Sequence, residues 1–307
     1  MAVYFANETS VEVARIEGGS DYKHFMHQRG SSSNISQYNR KCGFFPFRIQ
    51  ELLRFIHICP RQPDLEGTVS LFRSLKYAVD SYLGTNFCFV SVAVPDPDSV
   101  YYSDLIGQAI DTVGLRQVFP LLHAGEMAFA ANWRTIEKDR NLFPDEQVVL
   151  TVDFSNSGLN LALFYDNYYD IRLVYPLRSH WVHELVTTPV EPPPEFWRDV
   201  RETVKTFVQP PFGESPMGRA LPDYISQVVL YGDDVANSTF LDILRENVGH
   251  DVLERAHKFD PVFASAVGMA QLSYERMDAF YSDEKAAFGC KWRSELYGKK
   301  RPSHDDL

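Results

Sequence analysis

Two segments near the end of the chain constrain its fold more than any other part of the sequence. The first, VVLYGDD over 228–234, is apolar and β-branched up to Gly232, which predicts a buried strand ending in a tight turn. The second, FDPVFASAVGMA over 259–270, predicts a helix that Asp260 caps and Pro261 begins. Its small residues would let the helix approach another backbone closely: Ala264, Ala266, Gly268 and Ala270. Ordinary helix packing explains such residues equally simply.

Composition sets the class of protein and excludes some partners. The chain has 307 residues, of which 45% are hydrophobic, so it is long enough for two lobes with separate cores. Its formal net charge of −11 argues against nucleic-acid or anionic-membrane binding, because both need a basic surface. Polar residues interrupt the first thirty positions, so neither a signal peptide nor a spanning helix is expected. A cytoplasmic location is therefore the prediction.

The cysteines and paired histidines suggest neither a disulfide framework nor a metal site. Four cysteines are scattered without a CxxC pair, so we expect them to be reduced: Cys42, Cys59, Cys88 and Cys290. Two histidine pairs, His24 with His27 and His180 with His183, have a spacing that can ligate a metal on a helix. Neither pair has an evident third ligand, so surface or core histidines are the preferred interpretation.

Alternating strand and helix patterns predict an α/β fold with two lobes. The N-terminal lobe spans 1–145 and contains a polar insertion over 17–47, which we expect to be a loop. The other predicted elements of this lobe are a hairpin (3–5 and 11–16), helices over 49–58, 67–83, 98–114 and 125–133, and strands over 87–94 and 117–122.

The C-terminal lobe is predicted to span 146–290. It begins with an antiparallel meander of three strands, 148–153, 159–165 and 171–175. An inserted helical subdomain over about 177–226 follows, in which one helix carries Phe196, Val200, Val204 and Phe207 on one face. Asn237 or Ser238 is predicted to cap a further helix that ends before Gly249, and 291–307 is predicted to be a disordered tail.

The order of these segments resembles a known architecture. The stretches 75–133, VVLTVDFSNSGLNLALF over 148–164, VVLYGDD and FDPVFASAVGMA are similar, in the same order, to the nucleotide-binding domain of DnaK-type chaperones. These belong to the actin-like ATPase superfamily, and the chain resembles a degenerate heat shock protein 70-like member of a short fungal type. The resemblance implies a ribonuclease H-like fold with duplicated lobes and an interlobe cleft. The first lobe's upper subdomain would be shortened.

The resemblance also implies where a nucleotide would bind. In that family two glycine-rich loops clamp the phosphates, and acidic residues hold magnesium through water. Asp153 matches an acidic residue of the second loop, and so is the implied metal-binding and catalytic carboxylate. The implied nucleotide-binding residues are Ser155, Ser157, Gly158, Gly232, Asp233 and Gly268. Where the family has glycines, Ser155 to Ser157 and Asp233 occur instead, which predicts weakened binding.

Other parts of the implied site are more altered. FANETS over 5–10 lacks the glycine of the first loop, and His123 and Ala124 replace a glutamate and proline, with Glu126 nearby. Binding of ATP or ADP with magnesium is therefore expected to be weak or lost, and efficient hydrolysis is not expected. The leading hypothesis is a pseudo-ATPase with a regulatory or scaffolding role that binds a nucleotide or related small-molecule ligand between its lobes. A protein partner is a further expectation.

Two alternatives remain open. The cleft could have been repurposed for a small organic substrate, as in a cyclase or isomerase step of fungal specialised metabolism. His123 would then be the natural acid or base, with Asp153 and Glu126 beside it, because the unperturbed pKa of histidine is near neutrality. The chain could also be a genuine but slow ATPase that uses Asp153.

Overall fold

The computed structural model shows a mixed α/β protein. It describes residues 1–27 without 6 and 8, 63–139, 147–182 without 156–157, 167–170 and 174–178, and 194–280 without 216–217 and 258. The predicted helix over 49–58, the tail over 291–307 and the side chains of both histidine pairs lie outside the described part.

The chain begins with a hairpin followed by two packed helices. Strand β1 (Ala2–Tyr4) pairs antiparallel with β2 (Ser10–Glu12), which confirms the predicted hairpin. Helix α1 (Ser20–His27) then packs on α2 (Pro63–Leu83). The prediction of a loop over 17–47 is therefore wrong for the part that forms α1, where Asp21 lies in the first turn and favours a helix start.

Short strands and one well-capped helix complete the first half. The strand predicted over 87–94 is two short strands, β3 (Phe89–Val90) and β4 (Ala93–Val94). Strand β3 pairs in parallel with β5 (Arg116–Gln117), and β4 pairs in parallel with β6 (Leu122–His123). The single strand predicted over 117–122 is thus also two short strands. Between β4 and β5, α3 (Val100–Thr112) begins where the Ser99 hydroxyl accepts a hydrogen bond from the Tyr102 backbone N–H at 3.4 Å.

The second half is built on a larger sheet. Strands β7 (Gln147–Ser155) and β8 (Gly158–Asp166) are antiparallel, β9 (Ile171–Leu173) pairs with β8, and the predicted meander is confirmed. Strand β10 (Ser179–Val182) also pairs with β8, so the segment predicted as a helical subdomain from 177 includes a strand. Strand β11 (Gln227–Tyr231) lies parallel to β7 at the other side, giving the order β10, β8, β7, β11.

Both faces of this sheet are covered by helices. On one face, Val148, Leu150 and Val152 pack with residues of α5 (Pro194–Phe207) and α6 (Ser238–Val248). On the other face lie α4 (Ala124–Asp139) and α8 (Ala264–Phe280), which contribute to a second core with Val149, Phe164 and Val229. Burial on both faces explains why these strands are almost continuously apolar. The short helix α7 (His250–Glu254) follows α6.

Helices α4 and α8 cross in close contact. A Cβ placed on Gly268 would overlap the Met127 carbonyl oxygen of α4, so only glycine allows this approach. The Ser265 hydroxyl donates a hydrogen bond to the Ala124 carbonyl at 2.7 Å, and the Phe259 backbone N–H donates to the Asn132 side chain at 3.0 Å. These contacts fix α8 along α4.

Helix α8 begins later than predicted. Asp260 has a φ of +33°, outside the helical region, and its carbonyl accepts hydrogen bonds from the backbone N–H groups of Phe263 and Ala264. A turn over 261–263 therefore precedes the helix, and the prediction that Pro261 begins it is wrong. The α6 prediction is confirmed: the Asn237 side chain accepts from the Phe240 backbone N–H, and Gly249 has a positive φ of 102°.

Two further sequence predictions concern cysteines and membranes. Cys88 is disulfide-bonded, so the prediction of reduced cysteines is wrong for this residue. Among the described residues, no helix is long and apolar enough to cross a membrane.

The contact at Gly268 predicts a large stability difference between two glycine substitutions. Gly268→Ala should lower the free energy of unfolding by about 2 kcal/mol or more, because the new methyl group forces α8 away from α4. Gly107→Ala in α3 is the matched control. A Cβ there meets nothing within 4 Å, so this variant should be neutral or up to about 1 kcal/mol more stable. Urea unfolding of both variants measures this, and equal effects would contradict the close crossing.

Candidate functional site

The carboxyl ends of β7 and β11 lie side by side and bring several predicted site residues together. The strands are parallel, and Tyr231 pairs with Asp153. The residues that follow β11, Gly232 and Asp233, therefore lie next to the end of β7 and the turn into β8. We call this group the strand-end site.

Gly232 closes the strand-end site from one side. Its φ of +111° is unfavourable for other residues, and a Cβ there would lie 2.6 Å from Asp153 Oδ1 and would overlap the Phe154 carbonyl oxygen. The Gly232 backbone N–H donates a hydrogen bond to the Pro261 carbonyl at 2.8 Å, which ties the loop to the segment that leads into α8. Packing alone thus requires glycine at this position.

Asp153 is the central carboxyl group of the site. Its pKa is raised from 3.8 to about 7, mainly by burial and secondly by the nearby charge of Asp233, while a hydrogen bond with Ser155 opposes the shift. The group is therefore a mixture of acid and carboxylate near neutral pH. A carboxyl group with such a pKa can donate or accept a proton under physiological conditions.

A charged pair connects the N-terminal hairpin segment to this site. Arg15, three residues after β2, forms an ion pair with Asp233. The Asp233 side chain is 16% exposed and that of Arg15 is 55% exposed, so the pair lies at the mouth of the site. Burial also raises the pKa of Asp234. A hydrogen bond with the Asn237 amide opposes this rise, and the negative charge of Asp233 increases it.

Two buried polar side chains flank Asp153 on the neighbouring strands. Asn160 on β8 and Tyr231 on β11 both pair with Asp153, so the three side chains point to the same face of the sheet. Asn160 is 2% and Tyr231 5% exposed, and the Asn160 side chain lies close enough to the Tyr231 hydroxyl to form a hydrogen bond that opposes the rise of the Tyr231 pKa. Burial, and next the charge of Asp153, raise the pKa of Tyr231 well above 10. Tyr231 is therefore a neutral phenol.

His123 packs at the start of α4. Its Nδ1 accepts a hydrogen bond from the Gly125 backbone N–H at 3.0 Å, and its ring packs edge-on against Phe164 at 5.3 Å between ring centres. Gly125 in turn lies against the side chain of Thr151, two residues before Asp153 on β7. His123 is buried here and holds the start of α4 in place. Glu126 is partly buried in the first turn of that helix, where a negative charge is favourable.

The structure groups some of the predicted residues and separates others. Ser155 and Gly158 pair across the β7–β8 hairpin, next to Asp153. Ser157 lies outside the described residues. Gly268 is part of the α4–α8 contact, which accounts for it by helix packing. The strand-end site therefore contains, of the predicted residues, Asp153, Ser155, Gly158, Gly232 and Asp233.

The site includes residues that the sequence did not indicate: Arg15, Asn160, Tyr231 and Asp234. Tyr231 and Asp234 directly flank the predicted Gly232 and Asp233, so strand pairing with Asp153 was the missing information. Arg15 carries no local signal, because its contact with Asp233 joins positions that are 218 residues apart.

The donor set does not fit a magnesium ion. Within the described part of the chain, no three Asp, Glu, His or Cys side chains lie close enough to hold a metal. Asp233, the carboxylate nearest to Asp153 in the site, is already paired with Arg15. The expectation that Asp153 binds magnesium therefore has no support from the geometry.

In comparisons with known proteins, the sequence matches no protein-family model and no curated protein. The argument for function therefore depends on the chemistry of the strand-end site.

The raised pKa of Asp153 predicts a pH-dependent stability. Between a pH of about 4 and 7 the folded protein keeps a proton that the unfolded chain releases, so stability falls as pH rises through this window. Between pH 5 and pH 8 the free energy of unfolding of the wild type should fall by up to about 3 kcal/mol more than that of Asp153→Asn. The difference accumulates at about 1.4 kcal/mol per pH unit up to pH 7. Urea unfolding at both pH values measures this.

The exposed Asp223, at the opposite end of β11, provides the control. Asp223→Asn should retain the wild-type pH dependence. If Asp153→Asn and the wild type respond identically to pH, Asp153 has an ordinary carboxyl pKa and the desolvated site is refuted.

Proposed function

We propose that this protein is a degenerate actin-like, heat shock protein 70-like domain that acts as a pseudo-ATPase with a regulatory or scaffolding role in the cytoplasm. Its cleft would bind a nucleotide or a related ligand weakly, without efficient hydrolysis. The observation that carries the proposal is the juxtaposition of Asp153 with Gly232 and Asp233 at neighbouring strand ends.

The geometry supports this proposal through the loops that the sequence resemblance assigns to a nucleotide. The β7–β8 hairpin corresponds to the phosphate loop, and the turn after β11 corresponds to the adenosine loop. These turns lie at the same edge of one sheet, since β7 and β11 are parallel neighbours. The segment before α8, which corresponds to the closing helix, is hydrogen-bonded to Gly232. The β7–β8 hairpin, the turn after β11 and the segment before α8 thus meet at the strand-end site.

The charges at this location argue against phosphoryl transfer. The charge of Asp233 raises the pKa of both Asp153 and Asp234, and the neighbouring cation Arg15 is already paired with Asp233. A triphosphate brings additional negative charge, which these carboxylates repel, and no magnesium site offsets the repulsion among the described residues. Weak binding of a nucleotide without turnover follows from this balance.

A repurposed enzyme acting on a small organic substrate is the second candidate. It is favoured by the pKa of Asp153, about 7, beside the neutral phenol of Tyr231. Such a pair can move a proton to or from a substrate, as an isomerisation or cyclisation requires. Asp153 would be the acid or base here, because it pairs with Tyr231 across neighbouring strands, whereas His123 Nδ1 already accepts a hydrogen bond from Gly125.

Calorimetric titration with ADP and ATP, each with and without magnesium, tests the leading proposal. We expect weak binding that magnesium does not strengthen, and no ATP turnover above background. Turnover comparable to that of a competent chaperone ATPase would refute the pseudo-ATPase assignment. Absence of any nucleotide binding would instead favour the second candidate.

The ion pair at the mouth of the site gives a sharper prediction. Asp233→Asn removes one negative charge and releases Arg15, so affinity for ATP should rise roughly fivefold, equivalent to about 1 kcal/mol. Asp223→Asn, which makes the same change at the far end of β11, should leave the affinity unchanged. Titration at low and high salt measures both effects. If both variants gained the same affinity for ATP, the change in net charge alone would explain the gain, which would contradict a binding site at Asp233.

A further inference from the structure

A separate cavity of about 560 Å³ lies in the first half of the protein. It is bounded by β1, one face of α2, the segment 87–95, Val262 and one side of α8. We propose that this cavity is a binding site for an uncharged, mainly hydrocarbon small molecule that carries one hydroxyl or carbonyl group.

The size and lining of the cavity fit such a ligand. Its volume falls within the range of about 300 to 1,000 Å³ that is usual for small-molecule pockets. The wall is formed mostly by aliphatic and aromatic side chains, among them Leu71, Phe72, Leu75, Phe89, Met269 and Ala270. Several of these remain only partly buried, although they face the interior. A ligand would supply the dispersion contacts that these side chains lack.

The cavity and the strand-end site have no residue in common. Gly268 faces α4, whereas Ala266, Met269 and Ala270 line the cavity. Neither Asp153 nor Gly232 is part of the wall. A ligand could therefore occupy the cavity without touching the strand-end site.

The charges of the wall argue for a neutral ligand. Lys76 forms an ion pair with Asp80 one turn along α2, and both side chains are largely buried. The ammonium group of Met1 donates a hydrogen bond to the Ala14 carbonyl at 2.6 Å. A carboxylate in the cavity would have to compete with these existing partners or remain buried and uncompensated, which is costly.

Ser91 gives the cavity a polar position. It lines the wall, and its Oγ is buried without a hydrogen-bond partner among the described residues. A buried hydroxyl without a partner is unfavourable, so a ligand that offers one hydroxyl or carbonyl would satisfy it. This hydrogen bond would place the polar end of the ligand near Ser91, and the hydrocarbon part of the ligand would contact the apolar wall.

Titration with Nile red, a neutral fluorescent molecule with a carbonyl group, tests the site. We expect saturable binding of one molecule per chain. Ala270→Phe fills the cavity and should weaken binding at least about tenfold, equivalent to one logarithmic unit of affinity. Gln271→Phe, at the next residue of α8 and outside the wall, is the matched control and should bind as the wild type does. Absence of saturable binding, or equal binding by both variants, would overturn the proposal.

Competition experiments test the polar position and do not depend on Ala270→Phe folding. 1-Dodecanol should displace Nile red, and dodecanoate should compete at least about tenfold less well, because its charge has no free partner in the wall. Ser91→Ala should weaken competition by 1-dodecanol roughly fivefold, as expected for one hydrogen bond. If dodecanoate competes as well as the alcohol, or if Ser91→Ala has no effect, the proposed ligand chemistry is wrong.

Discussion

The crossing of α4 and α8 at Gly268 is the contact on which the rest of the structure depends. Helix α4 comes from the middle of the chain and α8 from near its end, so their contact joins the two halves. With Met127 against Gly268 and Ser265 bonded to Ala124, α8 has one fixed position on the large sheet. That position places Pro261 where Gly232 can donate to its carbonyl. The strand-end site and one wall of the cavity both follow from it.

Regular periodicity allowed the mixed α/β class and many individual strands and helices to be predicted from the sequence. The long strands β7 and β8 and the helices α3 and α6 have unambiguous apolar patterns, and Ser99 and Asn237 cap their helices locally. Elements that depend on distant contacts were missed or misplaced. Strand β10 exists because β8 offers a pairing edge, and α8 begins late because Asp260 adopts a positive φ. Neither cause is visible in the local sequence.

The site shows the same division between local and distant information. Asp153, Gly232 and Asp233 were predicted because the resemblance to the chaperone nucleotide-binding domain implies them as site residues. Their proximity depends on the parallel pairing of β7 and β11. The charge balance could not be predicted, since Asp233 appeared as an uncompensated negative charge until Arg15 was found against it. Burial, which the sequence does not report, is what raises the pKa of Asp153.

The N-terminal hairpin and the residues that follow it contribute to both the cavity and the strand-end site. Residues of β1 line the cavity, and Tyr4 stacks obliquely on Tyr274 of α8, with 5.1 Å between ring centres. The same hairpin continues through Ala14, which accepts a hydrogen bond from the Met1 ammonium group, to Arg15 at the mouth of the strand-end site. The hairpin therefore contributes to the cavity through β1 and to the mouth of the strand-end site through Arg15, so both depend on how it packs against α8.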